Sequence, residues 1–420
     1  MKEINIAFIT PRISGIGGAE KYVAEKILWL KKNNYSCIVI AGNHEEGESP
    51  YLELLKENKI KYYNIDWLNN PAYIIDKNEL EKKLKELKKI IDENNIDIIE
   101  SNQIICGIYG YNLSIKYKIP ILLNVLSELG FEKKTDYIEL LKRFNKKNLY
   151  YNLGSNSNRY IENETGEKLE NCRNIPIPIT WNDTIEIKDK EFILTVARFD
   201  RGKEYLFSLI EDFRKLKLSK EEIIPKKLIL VGDGIYKGKI EKRVSEINEE
   251  FLEEIIVLKG FVTGIELEKL YSECSIYVGM GTTLLTAAAY KKPCIIATID
   301  EKNNYKSIGY FKKEKNNEYS FGQPLQNSEF QTYDYYILKL CQDKLFKINI
   351  VENSYGFIEE YFSLESVMRR WEREYSRILS DFNSLGNEYY IPRYKFFIYL
   401  KIYLKRYKII QKILRFKTKK

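Results

Sequence analysis

Residues 4–20 read INIAFITPRISGIGGAE, and residues 192–204 read FILTVARFDRGKE. In both, a short apolar, β-branched run ends in a glycine-bearing turn and passes into a helical pattern. One such stretch predicts the strand–turn–helix opening of a parallel sheet, and its recurrence predicts two such sheets in succession.

Outward from residues 4–20, further strand candidates fall at 37–42, 60–65, 96–101, 119–125 and 149–155. Helix-period segments lie between them, for example 19–32 and 77–94. Strands that are apolar nearly throughout and alternate with helices imply a sheet covered on both faces. The proline-punctuated NIPIPI at 174–179, followed by polar 181–190, reads as a linker. The alternation then restarts, with strands expected at 192–196, 228–231, 255–258, 276–278 and 294–297. Helices are expected at 205–216, 239–249, 265–272 and 283–290, and helices dominate after about residue 334. The expected fold class is α/β, two facing Rossmann-like doubly wound domains with a C-terminal helical extension. The expected division is an N-terminal domain at 1–180, a second at 190–355, a helix crossing back at 356–380 and a tail at 389–420. In such sheets ligands bind beyond the carboxyl ends of the strands, so two facing halves would hold theirs in the cleft between them.

The 420 residues are 44% hydrophobic and 30% charged, which fits folded domains and excludes a disordered chain. The six cysteines lack paired or metal-binding spacings and several sit in apolar runs, so they read as reduced, buried thiols. No metal and no cofactor is expected. MKEINIAFIT reads as a strand and not as a secretory leader, and no apolar run is long enough to span a bilayer. The net charge of +8 is unevenly placed: eleven Lys or Arg and no acid fall in 389–420. The excess basic charge therefore speaks to the partner of that tail.

Four turns carry candidate chemistry. Gly17 and Gly18 stand after the first strand, with Ala19 and Glu20 opening a helix whose free N–H groups suit an anion. The glycine spacing is not the dinucleotide fingerprint. Arg198 and Lys203 follow the first strand of the second half, where two cations can neutralise a diphosphate. Gly232 and Gly234 turn the chain after an apolar strand, where a base or ribose can lie. Gly281, Thr282 and Thr283 open a helix directly from a glycine-rich turn, a cradle of N–H groups and hydroxyls. Taken singly, each also reads as an ordinary strand-to-helix turn, and Thr282 as a helix cap.

Together and in this order, the four resemble the retaining glycosyltransferases of the GT-B fold, family 4. Gly17, Gly18, Ala19 and Glu20 match the family's opening turn. Arg198 and Lys203 match its Arg and Lys five apart, which the resemblance assigns to the donor diphosphate and to catalysis. Gly232, Gly234 and Gly260 match as well, as does the run from Tyr361, Phe362 and Ser363 to Trp371 and Tyr375. The likeness covers about residues 1–380. Two departures stand out. Where the family has paired glutamates, this chain has Val278 and Thr286, and Thr286 can offer only a hydroxyl. Where the family carries histidines, Asn102, Asn124 or Ser127 stand, and the chain's one histidine, His44, lies in a polar loop.

The resemblance implies transfer of a sugar from a nucleotide-diphosphate sugar to a lipid-linked or polysaccharide acceptor, with retained anomeric configuration. Gly17, Gly18, Gly232, Gly234, Gly281, Thr282, Thr283 and Thr286 would bind the donor. Glu20, Asn102 and Ser127 are candidates for the acceptor or the sugar. The alternative is a non-catalytic subunit of the same fold that stabilises an active partner. In 390–420 aromatics and isoleucines interleave with Lys and Arg, the pattern of an interfacial helix on an anionic membrane. The expected location is cytoplasmic, peripheral to the inner membrane face. No nucleic-acid motif is present, and no nucleic-acid partner is expected.

Overall fold

The structure, a computed structural model, describes residues 4–14, 18–42, 49–70, 72–125, 136–153, 162, 166, 168–169, 171–313, 320–322, 328–382 and 390–391. The chain divides into two compact units. Unit 1 comprises Met1–Ile177 and Val367–Lys420, and unit 2 comprises Pro178–Ser366.

Unit 1 is built on β1 (Asn5–Thr10), β2 (Ser36–Ala41), β3 (Lys61–Asn64), β4 (Ile98–Asn102), β5 (Ile121–Asn124), β6 (Tyr150–Asn152) and β7 (Cys172–Arg173). They form one parallel sheet in the order β3-β2-β1-β4-β5-β6-β7. Its helices are α1 (Gly18–Lys32), α2 (Pro50–Glu57), α3 (Ala72–Ile75), α4 (Lys77–Glu93), α5 (Gln103–Tyr117) and α6 (Asp136–Lys146).

The two-residue period of a strand sorts the sheet's faces. Ala7, Ile9, Ile38, Ile40, Ile99, Ile121, Leu123 and Tyr151 share one core with the apolar stripes of α4, α5 and α6. The stripe of α4, Leu80, Leu84, Leu87 and Ile91, has the helical spacing that buries one side. Gly110 of α5 lets that helix press on β4, because a Cβ there would run into the Ser101 side chain. Residues of the other parity, Phe8, Glu100, Asn102, Asn124 and Asn152, face the opposite way.

Unit 2 holds β8 (Phe192–Val196), β9 (Lys227–Val231), β10 (Ile256–Gly260), β11 (Ile276–Gly279) and β12 (Cys294–Ile296), parallel in the order β10-β9-β8-β11-β12. Around them lie α7 (Tyr205–Leu218), α8 (Lys237–Phe251), α9 (Gly264–Glu273), α10 (Thr282–Ala289), α11 (Tyr333–Gln342) and α12 (Lys344–Phe357). Both strand and helix expectations match to within a few residues at each end; the two-residue β7 is an addition. The fold class is therefore α/β with two parallel-sheet units, as expected.

The last helix, α13 (Leu364–Asp381), starts where Ser363 Oγ accepts the Ser366 N–H at 3.3 Å, so Ser363 is its cap. From Val367 onward it belongs to unit 1. Trp371 and Tyr375 are fully buried there, and Lys26 Nζ sits 3.3 Å from the Trp371 ring centroid. Tyr390 is also buried in unit 1. Its N–H donates to Asn112 Oδ1 and its carbonyl accepts from Asn112 Nδ2, both at 2.9 Å. Residues 392–420, which carry the expected amphipathic tail, lie outside the described residues. Among the described residues no helix is long and apolar enough to cross a membrane.

Candidate functional site

In unit 2 the chain runs from β8 outward through β9 to β10 and then returns to place β11 on the other side of β8. The β8/β11 boundary is thus the switch point of the sheet, where open α/β folds leave a crevice at the carboxyl edge. Two of the expected motifs follow directly from these two strands. Arg198 and Lys203 lie on the β8–α7 loop, and Gly281, Thr282 and Thr283 on the β11–α10 junction.

The β8–α7 loop is built to hold its two cations. It continues beside the β9–α8 loop: Ala197 N–H donates to Val231 O at 3.0 Å, Phe199 N–H to Asp233 O at 2.9 Å and Tyr236 N–H to Phe199 O at 2.8 Å. Asp200 to Lys203 then form a turn closed by Lys203 N–H to Asp200 O at 3.0 Å, with Gly202 at φ 80°. Glu204, the next residue, is engaged by the Tyr236 hydroxyl at 2.8 Å.

Gly232 and Gly234 explain the close approach. Their φ values are 150° and 151°, a region that favours glycine. A Cβ on Gly232 would collide with the Ala197 carbonyl oxygen, and one on Gly234 would lie 2.5 Å from Phe199 O. The sequence reading placed a base or ribose against these glycines. The space their missing side chains leave is filled by the chain's own loop.

The β8–α7 loop concentrates positive charge, with Arg198, Arg201 and Lys203 within six residues. On the neighbouring β9–α8 loop Lys237 is paired with Asp233 at 3.1 Å, and at the far end of α7 Lys215 is paired with Asp212 at 2.8 Å and Arg214 with Glu250 at 2.5 Å. Among the described residues neither Arg198 nor Lys203 forms an ion pair. Burial pushes the Lys203 ammonium below the usual lysine range, the Arg198 guanidinium pushes it further, and Glu204 partly opposes them. A half-buried cation beside a second cation is an environment that an anion relieves.

At α10, Gly281 has φ 70° and open space where a Cβ would go. Its N–H donates to Phe321 O at 2.6 Å. The helix has no side-chain cap, so Thr282 does not cap it. Thr283 Oγ1 donates to Met280 O at 3.1 Å, and Thr286 Oγ1 to Thr282 O at 3.0 Å. Both hydroxyls are thus occupied by the helix itself and keep only their acceptor capacity. Val278 is fully buried in the core of β11.

Unit 1 holds the remaining candidates. Gly18 begins α1, and Glu20 in its first turn is 7% exposed and paired with Arg12 Nε at 2.6 Å. Arg12 itself is 65% exposed. The loop before α1 is pinned from outside, with Pro11 O accepting from Gly42 N–H and Asn69 Nδ2, and Ile13 O from Ser49 Oγ. Asn102 is fully buried at the end of β4. Gly17, Ser127 and His44 lie outside the described residues. Among the described residues no three His, Cys, Asp or Glu side chains converge as metal ligands do.

The sequence reading did not anticipate the buried network under Asn102. Glu100 Oε2 accepts from Lys26 Nζ at 2.7 Å and from the Tyr375 hydroxyl. Its Oε1 accepts from Asn124 Nδ2 at 3.2 Å, and Asn124 Oδ1 accepts from Asn152 Nδ2 at 3.0 Å. The available signal was a carboxylate inside the apolar strand pattern of 98–102.

No protein-family model matches the chain, and no curated protein matches its sequence. Solved structures do match its fold. HepE of Anabaena in complex with UDP is 14% identical with a TM-score of 0.64, over 89% of this chain and 100% of that one. A glycosyltransferase of Rickettsia africae is 17% identical with a TM-score of 0.61, over 91% and 100%. The sucrose-phosphate synthase of Thermosynechococcus elongatus is 15% identical with a TM-score of 0.60, over 90% and 100%. These are GT-B proteins, and the chain has the GT-B fold.

Proposed function

We propose that the chain is a glycosyltransferase that moves a sugar from a nucleotide-diphosphate sugar to a lipid-linked or polysaccharide acceptor, with retained configuration. The observation that carries this reading is the pair Arg198 and Lys203, free of ion pairs among the described residues and set at the switch point of the unit 2 sheet. A diphosphate placed there gains a guanidinium fork, an ammonium and the uncapped start of α10. In transfer, these groups stabilise the charge that grows on the leaving diphosphate. That diphosphate can itself take the acceptor's proton, so Val278 and Thr286 in place of carboxylates do not remove the driving chemistry. HepE, a protein of like fold, has been solved with UDP and with UDP-glucose, which makes these the first probes to use.

The test is calorimetric titration with UDP, followed by mass-spectrometric screening of nucleotide-sugars for hydrolysis and transfer. Binding that Arg198→Ala and Lys203→Ala both leave unchanged would remove the proposed site. A second reading, a non-catalytic subunit that stabilises an active partner, is favoured by Val278 and by the occupied Thr286 hydroxyl. UDP binding with no turnover of any nucleotide-sugar would select it. The proposal extends to the cytosolic membrane face: the basic, aromatic 390–420 has the composition of a segment that lies on anionic lipid, which supports that location.

A further inference from the structure

The β8–α7 loop carries three cations and two acids: Arg198, Arg201 and Lys203 against Asp200 and Glu204. Opposite charges this close would ordinarily pair, and the loop would lose most of its field. Among the described residues neither acid pairs with a cation. Each is engaged elsewhere. Asp200 Oδ1 accepts the Arg201 N–H at 2.8 Å, a bond internal to the turn. Glu204 Oε1 accepts the Tyr236 hydroxyl at 2.8 Å, a bond that reaches across from the β9–α8 loop.

Tyr236 is fixed for this contact from three sides. Its N–H donates to Phe199 O at 2.8 Å, an approach that the missing side chain of Gly234 permits. Its carbonyl accepts the Ile240 N–H at 3.0 Å as α8 begins. Its ring meets Phe207 of α7 edge-on, with centroids 5.7 Å apart. Phe207 stands three residues after Glu204, on the same side of the helix start, and its N–H donates to Glu204 O at 3.1 Å. Tyr236 therefore covers that side, with its ring on Phe207 and its hydroxyl on the Glu204 carboxylate. Glu204 holds the cap position of α7 and yet makes no side-chain cap bond.

The relative strength of the two partners decides which one the carboxylate keeps. A hydrogen bond to a charged acceptor outweighs a surface ion pair, which must also order a long, flexible side chain. Without the hydroxyl, the partners left to the carboxylate are the cations of its own loop. The first of them is Lys203, its neighbour in sequence and already within its electrostatic reach. The bond also marks the phenol of Tyr236, which is held above its ordinary range chiefly by Glu204.

We propose that Tyr236 is a positioning residue of the donor site: by holding the Glu204 carboxylate, it keeps the Lys203 ammonium unpaired for an incoming diphosphate. What the freed cation binds rests on the transfer reading, whereas the hold on Glu204 does not.

The test uses the full chain. Tyr236→Phe keeps the ring against Phe207 and removes only the hydroxyl. In calorimetric titration UDP affinity is expected to fall about fivefold, the worth of one surface ion pair gained in the free protein. With lysine labelled with ¹³C at Cε, the Lys203 signal of the unliganded protein is identified by its loss in Lys203→Arg. In Tyr236→Phe it should titrate at a higher pH than in the wild type, because a closer carboxylate favours the charged form. Glu204→Gln placed in the Tyr236→Phe chain should restore UDP affinity to within about twofold of the wild type and lower the Lys203 titration again, since an amide cannot neutralise an ammonium. A tyrosine that acts by packing alone would show no such rescue. Glu204→Gln by itself should bind UDP at least as well as the wild type, which keeps the proposal testable if Tyr236→Phe melts early. Three results overturn it: an unmoved Lys203 titration in folded Tyr236→Phe, a loss of UDP affinity that Glu204→Gln does not restore, or weaker UDP binding by Glu204→Gln alone. A wild-type chain that does not bind UDP ends the diphosphate reading, while the Lys203 titration still tests the hold on Glu204, so each can fail alone.

Discussion

Lys26 Nζ and Glu100 Oε2 lie 2.7 Å apart, with both side chains wholly excluded from solvent. The pair joins α1 to β4, and α13 closes over it with Trp371 against the ammonium and the Tyr375 hydroxyl on the carboxylate. Removing one partner leaves an uncompensated buried charge, which costs about 3–5 kcal/mol. Lys26→Met or Glu100→Gln alone should lose that much in urea unfolding followed by tryptophan fluorescence. The double variant should lose much less, because two neutral side chains of similar size need no pairing. Equal and additive losses would show that the two charges do not depend on each other.

The same pair has a pH signature. Burial brings the Lys26 ammonium down to about 8, against the upward pull of Glu100. Below that pH the lysine is charged in both folded and unfolded chains, and the folded state bears the full desolvation cost. Between about 8 and the unfolded value near 10.4 the unfolded chain binds more protons, so stability rises with pH. Relative to the Lys26→Met/Glu100→Gln double variant, the wild type should gain at most ~1.4 kcal/mol per pH unit across that window. The neighbouring Tyr22, Tyr375 and Cys37 are all held above their ordinary values. The tyrosines reverse the trend only above pH 10, where the unfolded chain gives up protons that the folded one keeps. Cys37 reduces the slope from about pH 9. A flat difference between pH 8 and 9 would contradict a depressed Lys26.

The alternation of apolar strands and helical patterns was enough to place both sheets, because parallel strands buried on two faces leave an unmistakable apolar run. The Arg198 and Lys203 turn was legible from its position after β8. The Gly232 and Gly234 turn was legible as a turn but its packing was not, since the close approach of Ala197 and Phe199 to these glycines is a tertiary fact. The Asn102–Asn124–Asn152 row was not legible as a row. Its members are separated by whole strand–helix units, and register between strands is a tertiary fact. The burial of Lys26 was not legible either, because its partners, Glu100 of β4 and Trp371 and Tyr375 of α13, come from elements far along the chain.

Arg198 and Lys203 should matter to the donor more than to the fold, since neither forms an ion pair among the described residues. Arg198→Ala and Lys203→Ala are each expected to weaken UDP binding by about 1.5–3 kcal/mol, or roughly 10- to 150-fold. Melting temperatures should hardly move. Lys203 adds a proton signature: its ammonium is held down by burial and Arg198, so a bound diphosphate raises its affinity for a proton. Calorimetry of UDP binding in alkaline buffers of different ionisation enthalpy should show proton uptake that Lys203→Ala removes.

Gly232→Ala should be severe for a backbone reason alone. The added Cβ meets the Ala197 carbonyl oxygen at a φ of 150°. Loss of more than about 2 kcal/mol is expected, with the β8–α7 loop displaced and UDP affinity reduced. Gly238→Ala, in the first turn of α8 with nothing within 4 Å of the new Cβ, is the control. It should be neutral or stabilising by up to about 1 kcal/mol. Both changes are read from thermal melts and UDP titration, and equal effects would remove the steric explanation.

The place where the chain is cut decides what a tail truncation tests. Tyr390 is buried and closes a two-way clamp with the fully buried Asn112. Cutting before it leaves the buried Asn112 Oδ1 without its partner and Nδ2 with only Ile108 O, a loss of about 1–3 kcal/mol of stability in unit 1. Cutting after Ile391 keeps the clamp and removes only 392–420, with all eleven of the basic residues that follow residue 388. Each of those residues near an anionic leaflet contributes ~1 kcal/mol to binding. The longer form, 1–391, should therefore melt like the full chain yet fail to sediment with phosphatidylserine vesicles, while the full chain sediments and is released by salt. The shorter form, ending at residue 388, should fail to sediment and also melt early. Undiminished sedimentation of the 1–391 form would place membrane binding elsewhere than in the tail.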